Sequence, residues 1–132
     1  MKLPEVKRLV TELRLPAGDF ALHGSGPLLA YGLVDEINDV DIVSRGAAWR
    51  HALTLAAAEQ ARLDDVVRPL PGVEIFNGWL GDDADELVDS SSLVAGLPCV
   101  TLDAVLAFKR RLARPKDEEH IRLIESYLRN HS

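Results

Sequence analysis

The stretch that decides the fold is Phe20 to Val43, FALHGSGPLLAYGLVDEINDVDIV. Phe20-Ala21-Leu22-His23 is a short candidate strand, and it ends at Gly24-Ser25-Gly26. Thirteen residues separate Ser25 from Asp39-Val40-Asp41-Ile42, a second segment of strong β propensity with acid at alternate positions. On a strand, side chains two apart share a face, so Asp39 and Asp41 project together. Two carboxylates side by side repel unless they are protonated or bridged by a cation. A hard divalent cation such as Mg²⁺ is a natural bridge, completing its shell with water and phosphate oxygens. Gly24-Ser25, at a strand-to-helix turn, permits close backbone approach and offers N–H groups and a hydroxyl to a phosphate.

Working outward, Val73-Glu74-Ile75-Phe76 places a third acid inside an apolar strand, where it is disfavoured unless exposed or employed. Beside the Asp39/Asp41 strand, Glu74 could complete a metal site or serve as base for an attacking hydroxyl. Alone, it is equally explained as the outer face of an edge strand. In Leu102, Val105, Leu106, Lys109 and Leu112 the lysine falls on the apolar stripe of a helix. It either snorkels, reaches a triphosphate, or pairs with Asp117, which lies in register with Ile121, Ile124 and Leu128. His23 reads as a packed histidine or a phosphate contact, and Cys99 as an apolar filler. Gly24-Ser25-Gly26 is neither a Walker loop nor a full dinucleotide fingerprint, and no serine sits in a Gly-x-Ser-x-Gly elbow.

The remaining elements are helices over 4–14, 27–32 and 47–61, strands over 65–69 and 73–76, edge strands at Leu87-Val88 and Leu93-Val94, and helices over 102–113 and 115–129. This order predicts an α/β (α+β) chain: a small mixed sheet flanked by helices, closed by a C-terminal helical pair. The 132 residues suit a single domain, with a sheet-containing core over 1–100 and C-terminal helices over 101–132. Apolar residues at 47% and charged residues at 27% are ordinary for a globular protein and argue against disorder. A net charge of −6 discourages unaided binding to nucleic acid or anionic membranes, which needs a basic surface. One cysteine can form neither an internal disulfide nor a multi-cysteine zinc motif. With no apolar run long enough for a span and no leader pattern, a soluble, cytoplasmic chain without membrane contact is expected. Charge is segregated: Lys109, Arg110, Arg111, Arg114 and Lys116 form a basic run, and Asp82, Asp83, Asp85, Glu86 and Asp89 an acidic one. The acidic run reads as solvated surface, while the basic one could also favour phosphates.

The Gly-Ser turn, the Asp-x-Asp strand and the later strand acid together resemble the nucleotidyltransferase superfamily that includes DNA polymerase beta. They resemble more closely its small bacterial members: minimal nucleotidyltransferases, antibiotic nucleotidyltransferases and AbiEii-type toxins. Leu97-Pro98-Cys99-Val100-Thr101-Leu102-Asp103 leading to Lys109, then Arg114-Pro115-Lys116-Asp117, resembles the C-terminal segment of the AbiEii-like group. The resemblance implies that Asp39, Asp41 and Glu74 hold Mg²⁺ and that Gly24 and Ser25 hold nucleotide phosphates, with Lys109 a further nucleotide contact. It implies transfer of a nucleoside monophosphate from a triphosphate, ATP first, to a small-molecule, protein or RNA acceptor with release of pyrophosphate. A histidine before the glycine, where the family more often has a hydrophobic residue, and a long Ser25–Asp39 gap depart from its pattern. The competing expectation is a non-catalytic nucleotide-binding or protein-interaction module, a toxin–antitoxin-type component that keeps the fold. In a chain this short, a homodimer or partner protein could supply the acceptor surface.

Overall fold

The computed structural model describes residues 1–55, 65–79 and 81–131. The strands are β1 (Phe20–His23), β2 (Val40–Ser44), β3 (Val66–Leu70), β4 (Val73–Asn77), β5 (Ser92–Val94) and β6 (Leu97–Cys99). The helices are α1 (Leu3–Leu13), α2 (Gly26–Ala30), α3 (Gly46–Thr54), α4 (Ala84–Asp89), α5 (Leu102–Leu112) and α6 (Glu118–Asn130). The strands form one mixed sheet in the order β3-β4-β2-β1-β6-β5. β1 runs antiparallel to β2 and parallel to β6, while β2 and β4 are parallel. The expected mixed sheet with flanking and C-terminal helices is what the chain adopts.

Alternation along the central strands sorts the side chains into two layers. Leu22, Val40, Ile42, Val73 and Ile75 pack on α1, through Val6, Val10 and Leu13, and on α3, through Ala48 and Ala52. Ala21 and Val43 point the other way, into a cluster with Leu87 and Val88 of α4, Val105 and Phe108 of α5, and Ile124 of α6. Each fully buried aliphatic side chain contributes roughly 1.5–3 kcal/mol, so the register of every central strand is held from both sides. Asp41 shares its parity with Val43, as Glu74 does with Phe76, so both acids stand on the α5/α6 face. At their end of that face the two C-terminal helices leave a cleft.

Three local expectations are corrected. Leu87-Val88 is not an edge strand but part of α4, because Asp83 caps the helix by accepting from the Asp85 amide at 2.9 Å. Both apolar residues are buried in the second cluster, a role that a two-residue apolar pair serves in helix or strand alike. β6, not anticipated, inserts beside β1 at the Leu22–Cys99 register despite Pro98. The last helix begins as a 3₁₀ turn at Pro115–Asp117 before α6, since Pro115 has no amide to donate in a first turn. The third helix matches over Gly46–Thr54; its expected continuation to 61 lies largely outside the described residues. Among the described residues no helix is long and apolar enough to cross a membrane.

Candidate active site

Asp41 occupies the centre of the site. On β2 it stands opposite His23 of β1 on one side and Glu74 of β4 on the other. Asp39 lies just before β2, at the same parity, and is exposed. Burial, then the charges of Glu74 and Asp39, push the Asp41 carboxyl up to about 6, only partly opposed by Lys109 and Arg114. Glu74 is half-buried, and Arg68 donates to it at 3.0 Å. The Gly24 turn closes over Asp41: a β-carbon on Gly24 would sit 2.8 Å from Asp41 Oδ2, and its φ of +65° is one that glycine adopts freely. The next glycine, Gly26, is equally tight against Leu22, where a β-carbon would meet Cδ2 at 2.9 Å. The Gly24 N–H does not face the cleft as a free donor. It donates to His23 Nδ1 at 2.7 Å, while Ser25, the other residue of the expected turn, lines the cleft.

Across the cleft, Lys109 of α5 is buried and donates to the equally buried Asp117 at 3.3 Å. Arg114 grips the same carboxylate with two donors, at 2.7 and 3.1 Å. Burial alone would raise the Asp117 carboxyl, but the hydrogen bond from Arg114 and the two cations outweigh it and hold it below the usual range. Lys109 is lowered by burial, an effect that Asp117 only partly offsets. The helical register that put Lys109 and Asp117 on inward faces thus ends in a buried ion pair with a second cation on its rim. The cleft between these walls has a volume of about 590 Å³. Gly24, Ser25, Asp39, Asp41 and Glu74 line one side, and Lys109, Arg114 and Lys116 the other.

Its inner end is aromatic, a feature sequence reasoning missed. Trp79 and Phe108 line it together with His120. The His23 ring stacks on Trp79 at 4.2 Å and meets Phe108 edge-on at 5.3 Å. The signal in the sequence is Phe108 beside Lys109, next to the apolar stripe of one helix. His23 itself is fully buried, which decides for packing over phosphate contact, and burial pushes its pKa down to about 3. Cys99 is buried with its thiol pushed up to about 12, as an apolar filler would be.

No family model matches the chain, and no curated protein does. Among solved structures, a putative nucleotidyltransferase from Thermotoga maritima is similar, with a TM-score of 0.54, 18% identity, and coverage of 98% of this chain and 96% of that one. This chain has a nucleotidyltransferase-like fold. Coverage that is nearly complete in both directions takes in the C-terminal helices along with the sheet.

On this nucleotidyltransferase-like fold the donor chemistry fits a hard cation. Asp39, Asp41 and Glu74 offer only carboxylate oxygens, and the repulsion from Glu74 and Asp39 that adds to burial in raising Asp41 is what a divalent ion would relieve. Among the described residues no group of three His, Cys, Asp or Glu side chains is placed so that it could hold a metal ion. Glu74 is instead held by Arg68, so a third ligand would come from its release. The charge runs are also less free than their sequence suggests. Arg111 forks onto Asp82 at 2.7 and 2.9 Å, and Arg110 binds Glu125 at 2.6 Å. Asp85 and Asp89 of the acidic run hold Arg45 at 3.0 and 2.7 Å. Of the basic run, Lys109, Arg114 and Lys116 reach the cleft.

Proposed function

We propose that this chain is a Mg²⁺-dependent nucleotidyltransferase of the small bacterial, minimal or AbiEii-like kind. It moves a nucleoside monophosphate from a nucleoside triphosphate, ATP first, to a hydroxyl or phosphate acceptor. The acceptor oxygen bonds to the α-phosphorus, the bond from that phosphorus to the bridging oxygen breaks, and pyrophosphate leaves. One observation carries this reading: Asp41 and Glu74 are register partners on parallel strands, facing a cationic wall across one cleft.

Bound there, Mg²⁺ would neutralise the developing phosphate charge and activate the acceptor oxygen. Asp39 and Asp41 are the residues to hold it. Glu74, once Arg68 yields it, is the third ligand or the base that takes the acceptor's proton. Ser25 meets the phosphates with its hydroxyl, and Gly24 lets the chain pass close. Lys109 and Arg114, both anchored on Asp117, oppose the charge of the triphosphate across the cleft. An NTP-dependent reaction suits a cytoplasmic setting, and a second copy or partner protein would extend the acceptor surface.

The Arg68–Glu74 ion pair favours a second reading, a nucleotide-binding or protein-interaction module in which the third acid is occupied. Incubation with each labelled nucleoside triphosphate, Mg²⁺ and a cell extract separates the two. Incorporated monophosphate that disappears in Asp39→Ala/Asp41→Ala supports the enzyme. Nucleotide binding without transfer to any acceptor in the extract supports the module.

A further inference from the structure

His23 is fully buried, yet it is not simply filling space. An amide N–H can only donate, so the 2.7 Å contact from Gly24 requires a lone pair on His23 Nδ1 and puts the ring proton on Nε2. Among the described residues that Nε2 has no hydrogen-bond partner. A buried donor without a partner is destabilising, and a phenylalanine would keep the stacking on Trp79 without that penalty. Packing alone therefore does not account for an imidazole here. The acceptor on Nδ1 does.

The ring is clamped between Trp79 and Phe108, and through Nδ1 it holds the amide of the next residue. That residue is Gly24, at φ +65°, against whose bare α-carbon Asp41 Oδ2 rests. We propose that His23 is a positioning residue: its Nδ1 pins the Gly24 amide, fixes the left-handed turn, and so sets where the Asp41 carboxylate and Ser25 stand in the cleft. The rigidity of the aromatic cluster is in this way passed to the polar end of the site. The pin is a statement about the ring and the turn. Its consequence for cation binding rests on the nucleotidyl-transfer reading.

Nitrogen NMR of the wild-type histidine tests the pin without any variant. An Nε2-protonated ring, with Nδ1 coupled to the Gly24 amide nitrogen, is expected; an Nδ1-protonated ring overturns the proposal. His23→Phe keeps the stack and removes the acceptor, whereas His23→Asn offers an amide oxygen close to where Nδ1 stood. His23→Phe is expected to fold, since it loses the unpaired Nε2 donor and in exchange leaves the Gly24 amide without its acceptor. Its Gly24 amide should exchange with solvent about tenfold faster and its Mn²⁺ affinity should fall about tenfold, with both recovering in His23→Asn. A role in packing alone would leave both unmoved. A folded His23→Phe with wild-type Gly24 exchange overturns the pin, and one with wild-type Mn²⁺ affinity overturns its effect on Asp41. If the wild-type protein binds neither Mn²⁺ nor nucleotide, the nucleotidyl-transfer reading falls, while the tautomer and the Gly24 exchange still decide the pin.

Discussion

Asp41 Oδ2 lies 2.8 Å from the point where a β-carbon on Gly24 would stand. Gly24→Ala therefore carries two separable penalties. The left-handed φ costs a non-glycine residue about 1–2 kcal/mol, and the methyl group must push the carboxylate aside. Gly32→Ala is the control, because Gly32 has φ +76° and open space around it. Urea unfolding should show a loss of about 1–2 kcal/mol in both proteins, with the larger loss in Gly24→Ala. Mn²⁺ affinity should fall in Gly24→Ala alone; equal affinity in the two variants would mean that the contact with Asp41 is slack.

The pair beneath the opposite wall sets a stability threshold. Asp117→Ala strands Lys109 as a buried charge and removes the anchor of Arg114, so a loss of roughly 3–5 kcal/mol is expected. Lys109→Met leaves Asp117 still bonded to Arg114 and should cost clearly less, although both changes should depress nucleotide binding. Chemical denaturation of the two variants checks the order, which the reverse ranking would refute.

Acid should unfold the protein through two windows of the same sign. The His23 pKa is lowered by burial to about 3, so the unfolded chain takes up a proton below about 6.5 that the folded chain refuses. Stability attributable to this group is intact above about 6.5 and falls roughly tenfold in equilibrium constant per pH unit down towards 3. His120, also lowered by burial, adds to the slope. Asp117, held low in the folded state, contributes stability above its unfolded value that is lost as pH falls through its folded one. His23→Phe should reduce the slope between pH 6 and 4 by about one proton. An unchanged slope in that variant would remove His23 from the account.

Asp41 carries the opposite sign. Its carboxyl is raised to about 6 by burial and by Glu74 and Asp39, so stability is lost as pH rises from about 4 to 6 and stays lost above. In metal-free protein at pH 7, Asp41→Asn should therefore gain about 2 kcal/mol while any nucleotidyl transfer falls at least about a hundredfold. Melting temperatures with and without a chelator, beside the transfer assay, measure both halves. A destabilised Asp41→Asn would show that the carboxylate is better solvated than its surroundings imply.

Much of this was legible in residues whose pattern has one period. The β1 and β2 strands and the inward helical faces of Lys109 and Asp117 follow from spacing, whereas the place of Glu74 beside Asp41 comes from the parallel pairing of β2 and β4. Leu87-Val88 reads as strand or helix alike because two adjacent apolar residues carry no period, and the capping Asp83 is one of a run of acids. β6 was hidden by Pro98 and by its brevity, and its place next to β1 is set by tertiary pairing alone. The basic run looked like one patch because sequence shows charges without their partners; folding spends Arg110 and Arg111 on Glu125 and Asp82. The aromatic end of the cleft was invisible for a similar reason, since Trp79 and Phe108 meet only through the fold.

The two-sided character of β2 sets how the gene for such a protein can gain or lose codons. Deleting Val40 would swing Asp41 into the α1/α3 layer and present Ile42 to the cleft, ruining core and site together. A residue deleted at the exposed Asp35 would only shorten a loop. The exposed part of the interval from Gly24-Ser25 to Asp39 can therefore drift in length without moving the chemistry. The single residue inside Asp39-Val40-Asp41 cannot.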